Sequence, residues 1–320
     1  MAVSIVTDST SYLPLDERER YGIAVVPLSV TLDGVEYVED TPVVEGFYRA
    51  LAESKSFPTS SQAGVTALID AFEAPVARGD SVAAVFLSSE MSGTYSTALM
   101  ARDMVLERYP EAAIEVVDSR SNCMELGFSV LAAARVADAD GTLAEVVDAA
   151  LRMIDRTRFL FVPDTLEYLH RGGRMGGAQA LLGTLLQIRP ILTVVEGETE
   201  VFARVRTKVK ALAEVVAAFR RDVEARGFVD AIVHHIDDES GGARLAAMVE
   251  AVTGVWPRVI GIGPVIGTHV GPGTVGLVYS TAEEMPTTAR IPPSALDEAF
   301  RMAATRDRIA RCEPKQTARA

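Results

Sequence analysis

The chain opens with an apolar, β-branched run that leads directly into a cluster of hydroxyl side chains, VSIVTDSTS over residues 3–11. We interpret Ala2 to Thr7 as a buried strand and Asp8-Ser9-Thr10-Ser11 as the turn after it. The same order of strand, polar turn and helix recurs at Ser81 to Leu87 and at Ile114 to Val117. Strands that alternate with longer helices form parallel sheets, so the first half predicts an α/β domain with a parallel sheet.

One hairpin interrupts this rhythm, because two strand-like runs within Ile23 to Val38 flank Asp33-Gly34, a dipeptide typical of tight β-turns. After Val162 the pattern changes to paired strands around Gly197 and a long amphipathic helix, Lys208 to Arg226. We therefore expect an α/β, two-domain chain. Its predicted parts are a parallel-sheet α/β domain over 1–160, an α+β domain over 161–280, and a C-terminal extension over 281–320 with an arginine-rich helical stretch.

The composition excludes several classes of protein. In its 320 residues, 44 acidic and 31 basic side chains give a formal net charge of −13, which would repel nucleic acid and anionic membranes. The two cysteines, Cys123 and Cys312, are too few for a disulfide framework or a zinc cluster, and we expect both to be structural or incidental. Without a secretion signal or a long apolar run, the sequence favours a cytoplasmic protein with no membrane span.

Three loops rich in hydroxyl groups stand where a predicted strand meets a helix: Asp8 to Ser11, Thr59 to Gln62 and Ser92 to Thr94. In an open α/β sheet such loops line the crevice at the carboxyl ends of the strands. Helix N-termini together with serine and threonine hydroxyls suit a small anion, a carboxylate or a phosphate. The alternative is that these residues are ordinary helix caps, since serine and threonine are preferred there.

Two glycine-rich loops in the second half carry charged or titratable side chains. The first, Gly263 to Gly273, surrounds His269 with residues that allow close approach of a ligand, although a lone histidine is often structural. The second, His170 to Gly177, holds two arginines that form either a docking patch for a partner or a complement to a helix C-terminus. The segment His234 to Asp238 is a weak metal candidate, because neighbouring residues on a strand point to opposite faces. No Gly-Lys-Ser/Thr of a Walker loop occurs.

Together these motifs resemble the DegV family of bacterial fatty-acid-binding proteins, the acyl carriers of fatty acid kinase. Several ordered motifs between Val3 and about Ser280 carry the resemblance. They are Thr7-Asp8-Ser9-Thr10, Thr59-Ser60-Ser61-Gln62, Ser92-Gly93-Thr94-Tyr95, Leu166-Glu167-Tyr168-Leu169 with Arg171-Gly172-Gly173-Arg174, Ile188-Arg189-Pro190-Ile191-Leu192, Arg206-Thr207, and Gly267-Thr268-His269-Val270-Gly271-Pro272-Gly273.

The resemblance implies a two-domain fold with a Rossmann-like N-terminal domain and an α+β C-terminal domain that closes a lipid tunnel. A fatty acid would be held in that tunnel, with its carboxylate presented to a separate ATP-dependent kinase for acyl phosphate formation in phospholipid synthesis. It implies no catalytic residue, no metal and no cofactor beyond the bound fatty acid, and no stable membrane insertion. The arginines that would face the kinase are Arg171 and Arg206. The ligand-binding residues it implies are Ser60, Ser61, Ser92, Gly93, Thr94 and His269.

This sequence departs from the family pattern at two places. Ala63 stands where the family usually has a proline after Ser-Gln, and Glu125 replaces the first glycine of a Gly-x-Gly pair that follows Asp118. Two other functions remain open from the residues alone. One is a lipid esterase with Ser92 as nucleophile, His269 as base and Asp118 as the orienting acid. The other is a carrier of a different amphiphilic acid, such as an isoprenoid or sterol acid.

Overall fold

A computed structural model describes residues 2–39, 46–181 and 188–285, and the described residues up to Met285 form one compact unit. Its strands are β1 Val3–Asp8, β2 Ala24–Val26, β3 Leu28–Leu32, β4 Val35–Glu39, β5 Thr59–Ser61, β6 Ser81–Phe86, β7 Ile114–Asp118, β8 Thr157–Val162, β9 Arg189–Val195, β10 Glu198–Val205, β11 Phe228–His235, β12 Arg258–Gly261 and β13 Val275–Thr281. Its helices are α1 Leu15–Tyr21, α2 Phe47–Glu53, α3 Val65–Ala77, α4 Thr94–Arg108, α5 Cys123–Asp138, α6 Leu143–Ile154, α7 Glu167–Arg171, α8 Lys208–Arg226, α9 Glu239–Thr253 and α10 Pro264–Val270.

The predicted parallel sheet is confirmed. Its four strands lie in the order β2-β1-β6-β7, and all three neighbouring pairs are parallel. Every residue of the central strand β6 is buried, as expected for a parallel strand covered on both faces. The carboxyl ends of β1, β6 and β7 therefore meet at one edge, where the turns with Asp8, Ser92 and Asn122 follow.

A second sheet of six strands has the order β10-β9-β8-β13-β11-β12 and mixes antiparallel pairs with the parallel pair of β11 and β12. Helix α5 touches β1 and β6 of the first sheet as well as β8 and β13 of the second. This double contact explains why α5 is apolar on nearly all sides, since a helix between two sheets has no solvent face along most of its length. Helices α8 and α9 pack on the mixed sheet around a separate cluster of buried side chains.

A third sheet has three strands in the order β4-β3-β5, and we call this sheet the flap. The predicted hairpin is confirmed, because β3 and β4 pair antiparallel and the turn residues Asp33 and Gly34 both have positive φ, 50° and 79°. Two loops predicted from sequence contain regular structure instead. Thr59–Ser61 is the strand β5, which pairs with β3, and the glycine-rich segment 263–273 contains helix α10.

The domain boundary at 160/161 stays a prediction, although β8, which starts at Thr157, already belongs to the mixed sheet. The predicted extension begins at the last residue of β13, Thr281, and the arginine-rich stretch lies outside the described residues. In the described ranges we find no helix that combines the length and the apolar character needed to cross a bilayer.

Candidate binding site

A cavity lies where the carboxyl edge of the parallel sheet, the flap and the mixed sheet meet. Its volume is about 160 Å³, enough for several water molecules. Both apolar and polar residues line it. The apolar residues include Leu28, Leu87, Phe159, Phe161, Ile236 and Ile266, and the others include Ser60, Ser61, Gln62, Ser92, Gly93, Asn122, Arg174 and His269.

One contact among the polar lining residues joins β5 to α10. Ser60 Oγ lies 2.7 Å from His269 Nε2, although the two residues are 209 positions apart in the sequence. The other ring nitrogen, Nδ1, is buried and has no hydrogen-bond partner. Because a buried N–H without an acceptor is costly, we place the proton on Nε2, from which it is donated to Ser60 Oγ. The Ser60 hydroxyl is then free to donate its own proton into the cavity.

Burial and, to a smaller extent, the positive charge of Arg174 lower the pKa of His269 to about 4. The imidazole is therefore neutral at pH 7 and is a weak base. Its position depends on Gly172, the residue after α7, because a Cβ there would lie well inside contact distance of His269 Nδ1. The glycine spacing in this loop thus has a direct packing reason.

Ser92 is positioned by hydrogen bonds with Thr94, the first residue of α4. The backbone N–H of Thr94 donates to Ser92 Oγ at 3.2 Å, and the two hydroxyl oxygens are 3.0 Å apart. Thr94 Oγ1 also accepts from the N–H of Ala63 at 3.2 Å, so its own proton can go to Ser92. Ser92, like Ser60, is then left with a hydroxyl proton that can be donated to a ligand.

Five of the six ligand-binding residues expected from sequence, Ser60, Ser61, Ser92, Gly93 and His269, line this one cavity. Thr94 differs, because its side chain is fully buried and links the Ser92 loop to the segment after β5. Its backbone N–H donates to Ser92 Oγ, so Thr94 is connected to the cavity through Ser92, and a direct contact with a ligand stays a prediction.

The two expected partner-binding arginines are both exposed. Arg171 lies over the ring of Phe57, 4.4 Å from its centroid, and forms an ion pair with Glu167 at 3.2 Å. Arg206 lies just before Thr207, the N-cap residue of α8. A third arginine, Arg174, is the one that lines the cavity.

Arg174 was not among the site residues expected from sequence, although it belongs to the motif Arg171-Gly172-Gly173-Arg174. Its Nε donates to the carbonyl of Met91 at 3.2 Å, and its Nη1 donates to the carbonyl of Gly172 at 2.6 Å. It thereby connects the loop before Ser92 with the glycine beneath His269. The sequence feature that could have identified it is its position directly after a glycine pair that follows a predicted helix.

The esterase arrangement does not form. Asp118 receives hydrogen bonds from the Ser89 hydroxyl at 2.6 Å and from the N–H of Arg120 at 2.8 Å, whereas His269 contacts Ser60 and has no acid on Nδ1. A serine-histidine pair with an unoriented imidazole of pKa about 4 is poorly suited to general-base work.

Of the candidate metal residues, His234 has a structural role. His234 Nε2 accepts from the N–H of Met124 at 3.2 Å, and its Nδ1 lies 3.1 Å from the carbonyl of Ile260. Within residues 2–39, 46–181 and 188–285, no group of three His, Cys, Asp or Glu side chains could hold a metal ion.

Glu125, one of the two residues that depart from the family pattern, is buried at the start of α5 and accepts a hydrogen bond from the Ser121 hydroxyl. Burial raises its pKa to about 7, and this effect outweighs the lowering by Ser121, the Phe159 backbone and Arg158. It is thus a buried carboxyl close to β8, the strand that contributes Phe159 to the cavity wall.

Comparison with known proteins places these features in context. Residues 2–282 match the model of a family described as "Uncharacterised protein, DegV family". A DegV domain-containing protein of Clostridium acetobutylicum is 47% identical over 285 residues, covering 89% of this chain and 100% of the relative.

Two solved structures are similar in fold and sequence. The DegV family protein from Thermus thermophilus, described for its fatty acid binding, has a TM-score of 0.78 at 35% identity and covers 88% of this chain and 100% of its own. DegV of Bacillus subtilis, described as a fatty acid binding protein, has a TM-score of 0.78 at 30% identity and covers 88% of this chain and 99% of its own.

Proposed function

Since the chain belongs to the DegV family, we propose that it binds one long-chain fatty acid in this cavity, with the acid group at the polar end and no metal or nucleotide of its own. The observation that carries the proposal is the pairing of an apolar wall with two serines whose hydroxyl protons are left free. The fatty acid binding of the relatives from Thermus thermophilus and Bacillus subtilis supports it.

The head group would be held by neutral donors. Ser60, which accepts from His269, and Ser92, which accepts from Thr94, would each donate to a carboxylate oxygen. A hydrogen bond to a charged acceptor is worth about 1.5–3 kcal/mol, enough to replace part of the hydration that the acid loses. Arg174 lies on the same wall but is exposed, so its charge is largely screened by water.

The hydrocarbon tail would supply most of the affinity. Each buried methylene contributes about 0.8 kcal/mol, so a chain of ~16 carbons offers on the order of 10 kcal/mol before the costs of binding. Phe159, Phe161 and Ile266 present the apolar surface that such a tail needs. A longer or differently shaped acid, such as an isoprenoid acid, would use the same two serines and a different part of this wall.

The direct test is denaturing extraction of protein purified from cells, followed by mass spectrometry. We expect about one equivalent of a long-chain fatty acid. Ser60→Ala and Ser92→Ala should each weaken fatty-acid retention about ten-fold or more without loss of fold. Ser96→Ala, an exposed serine on α4 away from the cavity wall, is the matched control. An extract that contains only an isoprenoid or sterol acid would show that the ligand is that acid and not a fatty acid. An empty extract from lipid-replete cells would refute the proposal.

We further propose that the chain is a cytoplasmic, non-enzymatic subunit that presents its fatty acid to a separate ATP-dependent kinase for acyl phosphate formation. Exposed Arg171 and Arg206 would meet the partner, and the neutral donors would leave one carboxylate oxygen open to a phosphoryl donor. The test combines the loaded chain with ATP and a purified bacterial fatty acid kinase, and traps acyl phosphate as the hydroxamate. Arg171→Ala and Arg206→Ala should lower the yield while leaving fatty-acid retention intact. An unchanged yield in both variants would remove these arginines from the interface.

A further inference from the structure

The start of α10 is held by two side chains of neighbouring elements. Glu39, at the end of β4, accepts a hydrogen bond from the N–H of Val265 at 2.8 Å. Tyr48, on α2, donates to the carbonyl of Ile262 at 2.7 Å and lies 2.9 Å from that of Gly263. The fit is close, because a Cβ on Gly263 would stand 2.5 Å from Glu39 Oε1.

Helix α10 carries much of the cavity wall. Val265, Ile266, His269 and Val270 all lie on it and all line the cavity. A helix of seven residues is too short to be stable by its own hydrogen bonds, so its position depends on its anchors. A change at Val265 would therefore reach His269, one turn further on.

Glu39 is fully buried among groups that respond to its charge. The Tyr12 hydroxyl faces its carboxyl, and Asp8, Tyr48 and Cys123 are the other titratable groups around it. Burial raises the pKa of Glu39 to about 7; Tyr12 and the Val265 N–H oppose the rise, and Asp8 adds to it. The carboxyl can therefore gain or lose its proton near neutral pH.

We propose that Glu39 is a positioning residue of the lipid site, which fixes α10 and with it His269 while ionised, and loosens the helix when it takes up a proton. The inference rests on the proposed function, because it concerns how firmly the fatty acid is held. Its physical basis is that a hydrogen bond from a backbone N–H to a carboxylate is about twice as strong as one to a neutral acceptor. The N–H groups at a helix start also favour negative charge.

A positioning role and a purely structural role predict pH dependences of opposite sign for fatty-acid retention. Because the pKa of Glu39 is raised on folding from 4.5 to about 7, its contribution to stability is largest below pH 4.5 and is lost as the pH rises to 7. Fatty-acid retention should change in the opposite sense and become stronger above pH 7. His269, with a pKa of about 4, titrates below this window.

The experiment follows transfer of radiolabelled palmitate from the loaded full chain to neutral phosphatidylcholine vesicles between pH 6 and 8.5. Wild type should release palmitate about five-fold more slowly at the upper end. Glu39→Gln keeps a neutral acceptor for Val265, so its release should stay fast at all pH values apart from any change common to every variant. Asp222→Asn is the control, since this buried carboxyl bonds Arg158, Arg226 and Tyr279 in the separate core on α8.

Equal pH profiles for wild type and Glu39→Gln would overturn the inference. If Glu39→Gln does not fold, Tyr48→Phe provides the second variant, because it removes the other anchor and keeps Glu39. Its release should be faster than that of wild type with the same pH profile, and unchanged release would count against an anchored α10. A wild-type chain that never retains palmitate would instead refute the proposed function.

Discussion

Replacement of Gly172 by alanine tests whether the loop after α7 positions His269. The backbone of Gly172 has φ −76°, so alanine is not strained there, and the effect is one of space alone. The new methyl group would overlap His269 Nδ1 and would stand 3.0 Å from the carbonyl oxygen of Tyr168. To restore ordinary contact the imidazole would have to move by about 1 Å.

Such a shift would break the 2.7 Å contact between His269 Nε2 and Ser60 Oγ. Overpacking of this kind costs about 1–3 kcal/mol, and the lost hydrogen bond adds about 1 kcal/mol. We therefore expect Gly172→Ala to lower the free energy of unfolding in urea by about 2–4 kcal/mol and to weaken fatty-acid retention. Gly64→Ala is the matched control, because φ is −68° there and nothing lies within 4 Å of the added methyl group.

A double-mutant cycle identifies the cause. With His269→Ala already in place, the ring that blocks the methyl group is gone, and Gly172→Ala should then cost less than about 1 kcal/mol. If Gly172→Ala destabilises the chain equally in both backgrounds, the clash lies with Tyr168 or elsewhere, and our account of why this loop needs a glycine is wrong.

Two further predictions concern buried polar groups. The raised pKa of Glu125 makes folding favour its protonated form, so the free energy of unfolding of the wild type should decline between pH 4.5 and 7. Glu125→Gln should remove up to about 3 kcal/mol of this decline. Urea unfolding at pH 5 and pH 8 measures the difference, and a difference equal to that of the wild type would contradict the prediction. Thr94→Val should weaken palmitate retention about ten-fold by loss of the hydroxyl that holds Ser92, whereas Thr94→Ser should retain it, and equal retention in both would exclude that role.

Much of the fold follows from hydrophobic patterning. The parallel sheet, the hairpin at Asp33-Gly34 and helix α8 were all expected, because period-two and period-3.6 patterns with strong caps or turn residues determine them locally. Helix α10 was not expected, since its glycines and proline are typical of a loop. Tertiary contacts from Glu39 and Tyr48 hold it, and neither residue is near it in sequence.

The candidate site was predicted in its residues and only partly in its contacts. Hydroxyl groups after β6 and in the segment of β5 indicated an anion site, because parallel strands bring their carboxyl ends together. The sequence alone did not pair Ser60 with His269, since that contact depends on how β5 packs against α10. Arg174 was not predicted because Arg171 and Arg174 flank the same glycine pair, and the sequence does not show which of them lines the cavity.

The aromatic side chains Phe159 and Phe161 belong both to the main hydrophobic core and to the cavity wall. A bound acyl chain that packs against them would fill the interior of the protein. Because it would bind the folded state only, it would raise the free energy of unfolding by mass action. Empty molecules would open more often than filled ones and would be cleaved sooner by proteases. Turnover alone would then enrich a population in its loaded form.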